Sequence, residues 1–317
     1  MDKIFITGIA GFIGFHLAKK LHKLGFHVSG CDNFNSYYDP ALKHQRASYL
    51  QNKDILVLNC DLNDKEVIEL HLKTFCISHF VHLAAQAGIR HSITHPESYM
   101  HSNLSGFFQI LEIIRKNPNL KLIYASSSSV YGKTAETPFC ETASTDQPSS
   151  FYGATKKCNE IMAESYHKLY GLHCTALRFF TVYGPWGRPD MAYFSFTKAI
   201  LENQPIPVFG EGKLMRDFTY VDDIIDGIIA SLQKSNGCND IFNLGHHKPY
   251  SISELITCLE TLLEKKALIK FLPTPPGDVH ITYADVSKSK SVLNFDPKVD
   301  LKEGLSYFIK WYQKQYS

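Results

Sequence analysis

The sequence predicts an α/β fold: a doubly wound parallel sheet with a smaller α/β region toward the C-terminus. Three observations carry this. Through roughly the first 180 residues, short and almost continuously apolar runs alternate with amphipathic stretches of helical period. A glycine triplet sits between the first apolar run and the first helical stretch. Beyond that point Pro185, Gly187, Pro189, Pro205, Pro207, Gly210 and Gly212 break the chain into shorter elements.

The strands of the first part are expected at 3–7, 27–32, 55–61, 80–85, 122–127 and 174–179. Their apolar character is near-continuous, as suits parallel strands covered on both faces. The helices between them are expected at 12–24, 64–76, 103–116 and 152–170. In the second part, strands at 207–209, 217–221 and 241–244 mix with helices at 192–203, 223–233 and 253–265. We therefore expect residues 1–180 to form a dinucleotide-binding domain, which also receives parts of 217–245. Residues 181–317 should mainly bind substrate, over the carboxyl ends of the strands.

Composition narrows the class. The 317 residues carry a net charge of +2, with 44% hydrophobic and 20% charged residues, which excludes a disordered or collagen-like chain and gives no basic footprint for nucleic acid. No segment approaches the roughly 20 apolar residues of a membrane span. Met1–Gly8 reads as a strand entering a turn rather than as a signal peptide. Cys31, Cys60, Cys76, Cys140, Cys158, Cys174, Cys238 and Cys258 are scattered without a Cys-x-x-Cys pair, so reduced thiols and a cytoplasmic setting are expected. His91, His95 and His101, or His246 and His247, lack acidic or cysteine partners at ligand spacing, and no metal is expected.

Thr7-Gly8-Ile9-Ala10-Gly11-Phe12-Ile13-Gly14 places glycines where a Rossmann-type strand–turn–helix needs them. They permit a tight turn, close approach to a pyrophosphate, and exposure of the helix N–H groups at Phe12 and Ile13. Asp32, 18 residues past Gly14 at the end of the second strand, can accept from ribose hydroxyls and would repel a 2′-phosphate. NAD is therefore expected as cofactor. Asp61 and Leu62, after the third strand, reach the adenine edge or simply cap a helix.

Tyr152 and Lys156 share a helix face, where the ammonium can favour tyrosinate. With 17 Tyr and 27 Lys, chance supplies about 1.4 such spacings, and Tyr49/Lys53 is another. Tyr152 is singled out by Ser126-Ser127-Ser128-Ser129, a strand end upstream whose hydroxyls can share a substrate proton with the phenol.

These residues resemble the extended short-chain dehydrogenase/reductase family, which includes NAD-dependent nucleotide-sugar epimerases and dehydratases. The resemblance spans essentially the whole chain. Asp32-Asn33-Phe34-Asn35-Ser36-Tyr37-Tyr38-Asp39-Pro40-Ala41-Leu42-Lys43 and the stretch from Arg178 to Ala192 are similar to the branch that epimerises UDP-glucuronate at C4. The resemblance implies a homodimer formed by the helices at 103–116 and 152–170, and a UDP-sugar substrate.

By the same resemblance, Asn33, Asn35, Ser36, Leu83, Ala84, Ala85, Gln86, Asn103, Ser126, Phe179 and Val182 join the cofactor site. Ser127, Tyr152 and Lys156 are implied to be catalytic. Ser128, Ser129, Thr181 and Arg188 are placed near a sugar carboxylate. Arg90, Met191, Val208, Phe209, Arg216 and Asp278 complete the substrate site, although Val208 and Phe209 equally suit a core.

Dehydratases and decarboxylases of the family have acidic residues where this chain has Ser128 and Ser129, which argues for simple epimerisation. Epimerisation of neutral or N-acetylated UDP-hexoses is the main alternative. Decarboxylation, dehydration and a non-catalytic NAD sensor are further ones. Two departures from the family pattern are Pro275, where galactose-type epimerases often have Arg, and His91, where Tyr is frequent.

Overall fold

The computed structural model describes residues 2–133, 136–234, 239–274 and 277–316. Cys238 and Pro275 lie outside the described residues. The strands are β1 (Lys3–Thr7), β2 (His27–Asp32), β3 (Leu56–Asn59), β4 (His79–His82), β5 (Lys121–Ser127), β6 (Cys174–Phe179), β7 (Thr181–Tyr183), β8 (Pro205–Phe209), β9 (Met215–Tyr220), β10 (Asp240–Leu244), β11 (Pro249–Ser251), β12 (Leu268–Leu272) and β13 (Ile281–Thr282).

Seven of them form one parallel sheet in the order β10-β6-β5-β4-β1-β2-β3. The chain runs outward from β1 to β3, then returns to lay β4 against the other side of β1. That reversal opens a crevice at the carboxyl ends of β1 and β4, where open α/β sheets bind ligands. The pleat explains the two cores: Ile4 and Ile6 of β1 point to one face, and Phe5 to the other.

β7, β9, β11 and β13 form a small sheet beyond the large one, and β8 pairs with β12. Helix Val221–Lys234 and β10 return from this region, and β10 extends the large sheet beside β6.

Three helices of the first part are absent from the sequence reading: Ala41–Gln51 and the four-residue His91–Thr94 and Pro96–Tyr99. Helix Ala41–Gln51 buries Leu42, Lys43, Arg46, Ala47 and Leu50, so cations sit on its inner face and no apolar period shows. The expected helix over 103–116 divides into a π-helical segment, Met100–Ser105, and an α-helix, Gly106–Lys116. Helix Phe151–Tyr170 starts at Ser150, whose hydroxyl accepts from Gly153 N–H at 3.1 Å, and stops at left-handed Gly171. Among the described residues no helix is long and apolar enough to cross a membrane.

A buried ion pair locks this helix to the sheet. Arg178 on β6 donates through Nε and Nη2 to Glu160 at 2.8 Å each, and both side chains are 2–3% exposed. The Ser126 hydroxyl donates to the same carboxylate at 2.6 Å, and Arg178 Nη1 donates to the Tyr131 hydroxyl at 2.9 Å. Arg178→Met would leave Glu160 charged, buried and unpaired. We expect it to lower unfolding free energy by about 3–5 kcal/mol, read from the urea midpoint.

His82 is buried and His16 nearly so, and burial pulls each imidazole down to about 3. The unfolded chain takes up these protons below about pH 6.5 and the folded chain does not. Stability should therefore be intact above that pH and decline as pH falls toward 3. A urea midpoint that stays flat from pH 7 to pH 5 would contradict this.

Candidate active site

The crevice is walled by segments that follow β1, β2, β3, β4 and β6, by the end of β5, and by the start of helix Phe151–Tyr170. Of the expected residues, Gly8, Gly11, Phe12, Ile13, Gly14, Asp32, Asn33, Asn35, Asp61, Leu62, Leu83, Ala84, Ala85, Gln86, Ser126, Phe179 and Val182 line it. So do Ser127, Tyr152, Lys156, Arg188 and Met191.

The glycine turn is compressed. Gly8 has φ +71°, and a Cβ there would lie 2.8 Å from Ala84 N. A Cβ on Gly14 would collide with the Gly8 carbonyl oxygen. Helix Phe12–Lys23 then begins at Gly11 with neither a side-chain cap nor an acidic residue in its first turn. Its N–H groups and positive dipole end are left for an anion. This cradle, which side chains would fill, fits the diphosphate of a dinucleotide.

Asp32 is buried and accepts from Phe34 N–H at 2.9 Å. Burial raises its pKa, and Lys43 opposes that rise. Lys43 donates to the Asn35 carbonyl and side-chain oxygens at 2.9 and 2.8 Å. Asp61 accepts from Asn33 Nδ2 at 2.8 Å. It is held below the usual carboxylate range because hydrogen bonds from Asn63 and Asn33 outweigh its burial.

Lys43, Tyr37 and Tyr38 line the crevice and were not singled out from the sequence. Their signal was membership in the branch-specific stretch from Asp32 to Lys43. Arg46 lies behind them, fully buried, donating to the carbonyls of Ala10, Trp186 and Gly187 and to the Tyr38 hydroxyl. It thus ties the glycine turn to the loop that carries Arg188.

Tyr152 and Lys156 share the crevice with Ser127. Gly153 makes this closeness possible, since a Cβ there would stand 2.5 Å from the Ser129 carbonyl. The electrostatics differ from the sequence expectation. Burial raises Tyr152 above its usual value, and the groups that oppose this are the Ser127 hydroxyl and the Arg188 charge. Lys156 donates instead to the Ala125 carbonyl at 2.8 Å, and burial brings it down to about 8. The expected lowering of Tyr152 by Lys156 is thus corrected.

Several expected residues lie elsewhere. Asn103 is buried behind the wall: it accepts from Gln86 N–H at 2.8 Å and donates to Gln86 O and Thr155 Oγ1 at 3.0 Å each. It holds the segment after β4 against helix Phe151–Tyr170 rather than lining the crevice. Ser36 is exposed outside the lining. Ser128 and Ser129 form a short 3₁₀ turn capped by Ser127, and Thr181 opens β7, all three beside the lining. Val208 is 1% exposed and belongs to the core. Tyr49 of the Tyr49/Lys53 spacing packs its ring 5.5 Å from Phe15, remote from the crevice lining.

The remaining four expected residues form a second cluster. Arg90 stacks 4.2 Å over the Phe209 ring and meets Asp278 at 3.3 Å. Arg216 approaches the other oxygen of Asp278 at 4.0 Å, and burial lowers its pKa. Two cations, a ring and a carboxylate suit a nucleoside diphosphate. His91 packs edge-on against Tyr37, ring centroids 4.6 Å apart. Among the described residues no three His, Cys, Asp or Glu side chains converge as metal ligands.

The chain is 45% identical to UDP-glucuronate 4-epimerase 4 of Arabidopsis thaliana, over 99% of its own length and 76% of the relative's. Its fold matches the crystal structure of UDP-glucuronic acid 4-epimerase from Bacillus cereus, in complex with UDP-glucuronic acid and NAD. There the TM-score is 0.93 at 36% identity, covering 99% of this chain and 100% of the other. UDP-glucose 4-epimerase from Thermotoga maritima matches with a TM-score of 0.90 at 30% identity, covering 99% and 100%. Residues 4–245 match the family described as NAD dependent epimerase/dehydratase, and the chain belongs to that family.

Proposed function

We propose that the protein is an NAD-dependent 4-epimerase of a UDP-hexuronic acid, interconverting UDP-glucuronate and UDP-galacturonate. The observation that carries this reading is Arg188, a cation in the same crevice as Ser127 and Tyr152. Arg188 is already paired with Asp190, and a uronate carboxylate adds a second anionic partner for it that a neutral hexose lacks. The 45% identity to a relative named as a UDP-glucuronate 4-epimerase supports the same substrate.

In this reading the glycine turn, Asp32, Asn33, Asp61 and the segment Leu83–Gln86 hold NAD, with Lys43 beside them. NAD, when bound, would supply the hydride acceptor, and then the hydride donor, for C4. Tyr152 accepts the O4 proton and later gives it back, while Ser127 hydrogen-bonds O4. Lys156 fixes the carbonyl end of β5 through Ala125. Arg90, Phe209, Arg216 and Asp278 anchor the nucleoside diphosphate, about which the 4-keto sugar turns to present its other face. Ser128 and Ser129 supply no carboxylate, so no residue there drives elimination.

The same reading has residues 1–180 mainly holding NAD and 181–317 mainly holding the nucleotide sugar. It includes a cytoplasmic setting, which suits the free buried thiols of Cys31, Cys60 and Cys174. It also includes a homodimer. Exposed Phe108 on helix Gly106–Lys116, and exposed Ile161 and Leu169 on helix Phe151–Tyr170, leave apolar side chains on the outer surface of these two helices. Ile161→Lys combined with Phe108→Lys should yield a monomer in analytical ultracentrifugation, if these helices form the interface.

The deciding experiment incubates the purified protein with UDP-glucuronate, UDP-galactose and UDP-N-acetylglucosamine and separates the products. We expect UDP-galacturonate from the first, with neither CO2 nor net NADH. A pentose product, or preference for a neutral sugar, would contradict the proposal. Tyr152→Phe should lower kcat by about 10²–10⁴-fold. Because burial raises Tyr152, kcat/KM should climb with pH through the mildly alkaline range. Ser127→Ala removes a group that favours the phenolate, so its climb should move further alkaline; a shift toward acid would be the wrong sign.

A further inference from the structure

Arg188 is not a free side chain in the crevice wall. Its Nε and Nη2 donate to the two oxygens of Asp190 at 3.0 and 2.6 Å, a bidentate pair. Tyr37, from the turn after β2, donates its hydroxyl to Asp190 Oδ2 at 3.0 Å. The Tyr37 ring also lies 5.6 Å from the guanidinium carbon. Behind Tyr37 the His91 ring packs edge-on, and Gly88 is pressed so close to its hydroxyl that a Cβ would lie 2.6 Å away. Nε and Nη2 are thus fixed by protein, while the side chain remains part of the crevice lining.

We propose that Tyr37 and Asp190 are positioning residues: they aim Arg188 at the substrate carboxylate and thereby decide whether the oxidised sugar keeps its carboxyl group. The inference rests on the uronate reading above. Once C4 is a ketone, the uronate is a β-keto acid. If the C5–C6 bond stands perpendicular to the plane of the C4 carbonyl, in line with its π system, that bond breaks and CO2 leaves. Its electron pair forms an enolate at C4, and C5 takes a proton from water. A cation fixed in one orientation holds the carboxylate away from that alignment.

An unrestrained arginine samples many rotamers, whereas one forked onto Asp190 and stacked on Tyr37 holds one direction. The Asp190 charge has a second effect. It largely neutralises Arg188, so the carboxylate is oriented without being gripped too tightly to turn. Tyr37 comes from the stretch after Asp32, and Asp190 from the stretch that ends at Ala192. The two branch-specific stretches therefore meet at one guanidinium.

The test uses the intact protein with NAD and UDP-glucuronate, and measures UDP-galacturonate and CO2 from the same reaction. Tyr37→Phe removes a single hydroxyl. It should raise the ratio of decarboxylation to epimerisation about five-fold, the factor one lost hydrogen bond carries. Asp190→Asn should raise it further. In an Arg188→Ala background Tyr37→Phe should leave the ratio unchanged, because it acts through Arg188. A purely structural role would instead lower both products together.

An unaltered ratio in Tyr37→Phe, or the same change with and without Arg188, overturns the proposal. If Asp190→Asn does not fold, Tyr37→Phe decides alone. Failure of the unmodified protein to turn over any uronate overturns the substrate reading and this inference together. Uronate epimerisation by the unmodified protein, with Tyr37→Phe unchanged, overturns this inference alone.

Discussion

The site depends on a charge pair buried where sheet and helix meet. Glu160 and Arg178 are both nearly inaccessible, and such a pair is tolerated only when its remaining donors and acceptors are satisfied. Here they are. Ser126 donates to Glu160, and Arg178 donates to Tyr131, which in turn donates to Asn243 on β10 at 2.7 Å. Asn243 then donates to the carbonyls of Phe139 and Asp285. One network thus fixes the end of β5, helix Phe151–Tyr170 and the turn at Ser128–Tyr131. Ser127 and Tyr152 are carried by these elements, so their separation is set by the core rather than by mobile loops.

Arg46 does the corresponding work on the opposite wall. It is buried, and its charge is solvated by carbonyl and hydroxyl oxygens to which it donates. Those acceptors belong to the glycine turn, the turn at Tyr38 and the loop at Trp186–Gly187. The segment that would hold the dinucleotide and the loop that carries Arg188 therefore share one donor. A guanidinium suits this position, because its planar fork serves acceptors in several directions at once.

What the sequence made legible was whatever is encoded locally. The glycine turn, Asp32 after β2 and the Tyr152/Lys156 face each arise from residues within one strand–turn–helix, and the structure puts all of them on the crevice. What was illegible depends on contacts between distant segments. Helix Ala41–Gln51 escaped because its inner face carries Lys43 and Arg46, which erases the apolar period. Asn103 carried the right side chain for a cofactor contact, but the π-helical segment turns it toward Gln86 and Thr155. Val208 shows the limit of alternation, since in a short strand only burial distinguishes a ligand contact from a core contact. The electrostatics of Tyr152 were also out of reach, because Arg188 approaches from a loop more than thirty residues further along the chain.

In the proposed reaction the hydrogen that leaves C4 on oxidation is the one that returns to it on reduction, within one site. UDP-glucuronate labelled with deuterium at C4 tests this most directly, with the UDP-galacturonate product read by mass spectrometry and NMR. Retention of the label at C4 of the product, without exchange into water, is the expected result. Washout of deuterium to solvent, or its appearance at another carbon, would contradict it.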